Sequence, residues 1–292
     1  MMNNNNNNIL IIILVFLFTS SAFSQWTKGK GKGYYKVSGW YLEADEHFTA
    51  NGDKDPNLTR SQFNVNFYGE YGITDKLDVI AYVPFFSRVT ENDEISGTTG
   101  QELSEGESFN SFGDLDLGVR YSLFKNSTYA ISATLKFGIP TGDDAGGSDG
   151  SFQTGDGEFN QLLQTNFGAS FNLWKIPSYA KVYLGYNNRS QGFSDELRSG
   201  AELGGNLANG KLWIIGRADI VESTQNGSLN AQNSQGSGSI FANNIEYVSL
   251  GIEAAYYITK KIGVSANFTS AVSGKLVYAA PSISGGVFLD IK

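Results

Sequence analysis

The chain has 292 residues, 40% hydrophobic and 13% aromatic, with 35 Gly, 5 Pro, no Cys and a formal net charge of -8. This is too aromatic for a disordered chain, and the missing Cys excludes a disulfide framework, thiol catalysis, a thiolate-held metal and a lipidated N-terminal Cys. The negative balance argues against a nucleic-acid partner, because phosphate binding needs clustered Lys and Arg.

Residues 1–24 read as a secretory signal peptide. The apolar run 9–18 is short for a membrane helix, and Ala22-Phe23-Ser24 places small residues where a signal peptidase reads, with cleavage before Gln25. The n-region departs from the pattern, since MMNNNNNN carries no Lys or Arg. Residues 25–292 form a single domain in which no apolar stretch reaches helix-spanning length. Any crossing of a membrane is therefore done by strands.

The predicted strands follow a period of two, with apolar and polar residues alternating. The first covers 34–43, with Tyr35, Val37, Gly39 and Tyr41 on one face, and a polar loop over 44–59 follows. Strand two, 60–72, sets Phe63, Val65, Phe67, Gly69 and Tyr71 against Gln62, Asn64, Asn66 and Glu70. After the turn ITDK, strand three runs over 76–89, with Pro84 expected at a strand end or bulge because it cannot donate to a ladder. Residues 90–111 read as a long acidic loop.

The hairpin at 112–140 is the clearest part of the pattern. Leu115, Leu117, Val119, Tyr121 and Leu123 alternate with Asp114, Asp116, Gly118, Arg120 and Ser122. Lys125-Asn126-Ser127 reverses the chain into a second alternating run that ends at Ile139. A Gly- and Asp-rich loop spans 141–157. Strands six to nine are expected at 159–174, 179–188, 196–207 and 211–223, with a tight Asn-Gly turn at 208–210. A Gln/Asn/Ser/Gly loop spans 224–241, and strands ten to twelve are expected at 243–258, 262–270 and 282–291.

Short turns and longer loops alternate along the chain, as they do in membrane barrels and not in a soluble Greek-key sandwich. Aromatic residues gather near strand ends: Tyr34, Tyr35, Tyr71, Phe85, Phe86, Phe124, Tyr129, Trp174, Tyr179 and Tyr257. That suits interfacial girdles. The predicted fold is all-β: a transmembrane antiparallel up-and-down β-barrel of about twelve strands, bathed in membrane lipid.

Such a barrel turns its polar face inward, because a charge facing lipid at the midplane costs several kcal/mol. Glu70, Asp114, Asp116, Arg120, Lys136, Glu196, Arg198, Glu202, Arg217, Asp219 and Glu253 are thus the candidate lumen-lining and selectivity residues. Arg120 is expected to pair with Asp114 and Asp116, and Arg217 with Asp219 and Glu202. About twelve strands make a barrel wider than one that side chains fill and narrower than a general porin. This favours a passive path for a small-molecule solute; a structural or surface-binding barrel with a plugged lumen is the alternative.

Catalytic signals are poor. The one histidine, His47, is expected in or beside the first long loop, and no serine stands out as its partner. The Asp-rich loops match no EF-hand pattern, and TGDDAGGSDG lacks the Lys of a phosphate loop. No catalytic residue, metal ligand or cofactor is assigned, and the oligomeric state is not specified by these patterns.

Two motifs carry a resemblance. FGDLDLGVRYSLF at 112–124, followed by FGIPTGD at 137–143, is similar to the paired signature of an outer-membrane family associated with the phenol-degradation meta-pathway. YGEYGITDKLDVIAYVPFF at 68–86 resembles that family's preceding hairpin. The resemblance covers 63–143 well and the C-terminal half through strand pattern alone. It implies an outer-membrane barrel that passes small hydrophobic or aromatic compounds, with no catalytic residues to carry over. GGVFLDIK departs from the pattern in lacking a terminal Phe.

Overall fold

The computed structural model describes residues 27–229 and 239–292. The expected leader, 1–24, and the middle of the loop 224–241 lie outside the described residues. Strands account for most of the rest: β1 (Gly33–Phe48), β2 (Lys54–Gly72), β3 (Leu77–Glu91), three short pieces β4 (Glu94–Ile95), β5 (Glu102–Ser104) and β6 (Glu107–Ser111), then β7 (Leu115–Lys125), β8 (Tyr129–Ile139), β9 (Asn160–Leu173), β10 (Ile176–Arg189), β11 (Glu196–Leu207), β12 (Leu212–Ser223), β13 (Glu246–Tyr257), β14 (Ile262–Lys275) and β15 (Pro281–Ile291).

Each long strand pairs antiparallel with its neighbours in sequence, and β15 returns to pair with β1 from Gly33↔Ile291 to Leu42↔Ser282. The sheet is closed. Its staves are twelve, because β6 and β7 are one stave in two pieces, pairing in succession with the two ends of β3. The interruption sits at the expected Pro84. There the β2–β3 register shifts between Val65↔Phe86 and Phe67↔Val83, and Gly113 N–H donates to the Pro84 carbonyl at 2.8 Å. Among the described residues no helix is long and apolar enough to cross a membrane; the strands do the crossing.

Alternation decides the two faces. Leu163, Val182, Leu184, Ile252 and Ile283 point outward, each at least half exposed, while Ser132, Asn187 and Asp78 point inward and are fully buried. The band of exposed apolar side chains is the lipid face, and the buried polar residues fill the barrel. The tight turns gather at one end. The chain reverses at Trp174-Lys175 with φ of 48° and 72°, and at Ala208-Asn209-Gly210 with φ of 50°, 56° and 89°. Consecutive left-handed residues of this kind match the right-handed twist of the strands they join.

The boundaries differ from expectation at the other, long-loop end. Most of the expected loop 44–59 is strand, since β1 continues to Phe48 and β2 begins at Lys54. β14 likewise runs on to Lys275, past the predicted end at 270. These extensions reach beyond the apolar band, so they lack its hydrophobic alternation. Part of the acidic loop 90–111 is also strand, because β6 completes the stave that β7 begins. His47 belongs to β1 and is buried, not in a loop.

The aromatic girdle is thinner than expected. Tyr71, Phe85, Phe124, Tyr129 and Trp174 are exposed. Tyr34, Tyr179 and Tyr257 turn inward, because each has a partner there: Tyr34 stacks on Phe288, Tyr179 donates to Glu202, and Tyr257 donates to Asp290 at 2.7 Å.

Candidate functional site: the barrel interior

The inward positions build three layers from the short-turn end upward. The lowest is a plug of aromatic rings and backbone. Phe288 lies between Tyr34 and Tyr257, with ring centroids 5.5 and 5.0 Å away. Residues 27–32 tuck into the same mouth: Thr27 is fully buried, and Lys28 N–H donates to both oxygens of Asp78 at 3.1 and 2.9 Å.

Above it is a layer of paired charges. Arg120 Nη2 lies 3.0 Å from Glu70 and 3.0 Å from Asp78, and Lys28 Nζ adds a contact to Glu70 at 3.2 Å. Arg217 bridges Glu202 and Glu253, each at 2.7 Å, and Lys36 reaches Glu253 at 3.1 Å. Lys181 stands in register with Glu202 on the neighbouring strand. The remaining predicted residues sit nearer the long-loop end. Lys136 pairs with Asp116 at 2.8 Å, Arg198 with Glu196 at 2.6 Å, and Asp219 accepts from Tyr183 at 2.5 Å.

Three expected pairings are therefore replaced. Arg120 holds Glu70 and Asp78 rather than Asp114 and Asp116, and Asp219 takes a tyrosine rather than Arg217. The reason is register. Asp78 stands directly across from Arg120, whereas Asp116 is four residues along the same strand, roughly 13 Å away at 3.3 Å per residue. Glu202 stands directly across from Arg217, as expected.

The third layer is the loop 140–159, between β8 and β9. It folds into the barrel, burying Phe152, Thr154 and Glu158 almost completely. Asp114 anchors its base, accepting from Gly142 N–H and Asp156 N–H, each at 2.9 Å. A side chain at Gly155 would collide with that carboxylate, which accounts for one of the loop's glycines. Two arginines hold the loop, one from several strands away and one from the strand next to β9. Arg60 on β2 donates to Ser151 Oγ at 2.6 Å and lies 5.0 Å over the Phe152 ring. Arg189 on β10 contacts Asp156 at 2.9 Å, Glu158 at 2.7 Å and Glu196 at 2.9 Å. Asp156 is buried beside Glu158 and Asp114, which outweighs Arg189 and pushes its carboxyl up to about 7.

Several interior residues escaped the sequence reading: Lys36, Asp78, Lys181, Arg60, Arg189, Asp156 and Glu158. Lys36, Asp78 and Lys181 sit at alternating positions between apolar neighbours, so the period of two was enough to find them. Among the described residues no group of three or more Asp, Glu or His is arranged to hold a metal. His47 Nδ1 is buried with no hydrogen-bond partner among the described residues.

No known family profile and no curated protein sequence matches the chain. In three dimensions it is similar to an outer membrane channel from Pseudomonas putida F1, at 13% identity and a TM-score of 0.60, over 92% of this chain and 98% of that one. It also aligns with the translocator domain of the autotransporter NalP from Neisseria meningitidis, at 10% identity and a TM-score of 0.49 over 93% and 92% of the two chains. A KdgM porin in complex with disordered oligogalacturonate aligns at 8% identity and a TM-score of 0.44, over 88% and 99%. At such identities the first likeness establishes the closed barrel and nothing finer.

Proposed function

We propose that this chain is a passive outer-membrane channel for small solutes, exported by a signal peptide over residues 1–24 and without enzymatic activity. The observation that carries this reading is the way the long-loop half is closed. Two small apolar clusters, one of Leu42, Ala44, Tyr278 and Ala280 and one of Phe48, Ala242, Ile245 and Val277, pack only part of it. A hydrogen-bonded loop hung between Arg60 and Arg189 closes another part. A loop held by polar contacts narrows a path and releases more readily than a packed apolar core. Glu70, Asp114, Asp116, Arg120, Lys136, Glu196, Arg198, Glu202, Arg217, Asp219 and Glu253 line this path and set its charge selectivity. Fold likeness to a protein described as an outer membrane channel supports the reading. The resemblance at 63–143 to the phenol-degradation meta-pathway family points to aromatic or hydrophobic compounds as cargo.

A plugged structural barrel is the second reading, favoured by the aromatic and charged layers at the short-turn end. Planar-bilayer recordings of the wild type and of the Arg60→Ala/Arg189→Ala variant separate the two. A channel gives small discrete conductance in the wild type and a severalfold larger one in the variant. Silence from both, with no solute-driven liposome swelling, establishes the plugged barrel.

A further inference from the structure

Between the charged layer and the inserted loops lies a cavity of about 350 Å³ against β15, β1, β2 and β3. Its volume falls at the lower end of the range for small-molecule sites. Its wall has a chemistry unlike the layers above and below. Trp40 and Tyr82 offer aromatic surface, Ile240 adds an apolar patch, and among the described residues none of those lining it is charged. Trp40 is flanked across the strands by Asn64 on one side and Ser284 on the other. One step toward the short-turn end, Ser38 donates to Asn66 Oδ1 at 2.7 Å, which leaves Asn66 its NH2 group to donate. Asn64 Oδ1 is buried without a partner, as is Gln62 Nε2, the next inward residue on the same strand. Leaving a buried amide atom unpaired is costly, so the wall holds hydrogen-bonding capacity that the protein itself does not use.

We infer that this cavity is a binding site for an uncharged, polyhydroxylated ring compound of monosaccharide size. A ring face packs on Trp40, and hydroxyl groups pair with Asn64, Asn66 and Ser284. A hydrocarbon or a ring with a single hydroxyl leaves most of these polar groups unpaired. A carboxylate enters a pocket with no cation on its wall. The inference rests on the reading of the barrel as a small-solute path and replaces the aromatic or hydrophobic cargo of the family resemblance with a polyhydroxylated one.

The test uses the full chain folded in detergent, with ligand-detected NMR titrations of D-glucose, D-gluconate and phenol. Trp40→Ala and Asn64→Leu are the variants, each checked for folding by its heat-modifiable gel mobility. Saturable glucose binding is expected, at least tenfold weaker in Trp40→Ala and several-fold weaker in Asn64→Leu, with gluconate and phenol weaker than glucose in the wild type. The site is overturned by absence of saturable glucose binding, by gluconate or phenol binding as tightly as glucose, or by folded variants that both bind like the wild type. Glucose flux into liposomes is measured in parallel. Flux without binding removes the site and keeps the channel; binding without flux keeps the site and removes the channel.

Discussion

Arg120 shows how much an interior charge depends on its neighbours. Its guanidinium serves Glu70 and Asp78 at once, and the Asp78 side chain has no exposure to solvent. Arg120→Ala leaves Glu70 to Lys28 and the Tyr68 hydroxyl, and Asp78 to the Lys28 backbone N–H. A loss of about 3–5 kcal/mol is expected, read from urea unfolding of the protein in lipid vesicles. Lys54 and Glu46 form the opposite case, a pair at 3.4 Å with both side chains about half exposed. Lys54→Ala is expected to change stability by under about 0.5 kcal/mol. Conductance of Arg120→Ala adds a second measurement: a large stability loss with unchanged permeation favours the plugged barrel over the channel.

The loop 140–159 is the element on which the proposed permeation turns. Asp156 holds its proton to about pH 7, far above the ordinary carboxyl range. The docked loop therefore binds more protons than the released one between about pH 4 and 7, so docking weakens as pH rises through that window. Hydrogen exchange of residues 142–156, corrected for intrinsic rates, is expected to speed up between about pH 4 and 7. In Asp156→Asn, which stays neutral, that step is expected to vanish. Little of this loop was legible in the sequence. Its residues have no periodicity, and its anchors are remote, with Ser151 lying 91 positions from Arg60. The strands were legible because lipid outside and polar groups inside impose a period of two. Glu196–Leu207 falls where the pattern placed it, while strand ends beyond the apolar band, such as 44–48 and 271–275, lose that signal. The eleven charged positions were readable as an inward face, but Arg120's partners were not, because cross-strand register depends on turns and bulges that alternation does not encode.

At the scale of the whole molecule, stability rests on an inside-out arrangement in which the apolar surface is the outer one. Leu184 lies midway along β10 and is 64% exposed to the lipid side. Leu184→Arg is expected to cost about 2–4 kcal/mol and to slow insertion into phosphatidylcholine vesicles, as followed by gel-shift kinetics. Orientation follows from the same architecture. Cysteine substituted at 147, at the long-loop end, is expected to react with a membrane-impermeant maleimide on intact cells, and cysteine at 209 is not. The reverse result turns the barrel over.

The seam between β1 and β15 has a kinetic consequence. The first and last staves of the barrel clasp each other over ten registered pairs, so the ring cannot shut until β15 has been synthesised. Until then the nascent sheet carries two raw edges, each a row of unmet N–H and C=O groups ready to recruit a stranger. A contact between opposite ends of a chain is also the slowest kind to find by chance. The ring is therefore open until β15 arrives, and the eleven residues of that strand act as a latch that decides when a ribbon becomes a wall.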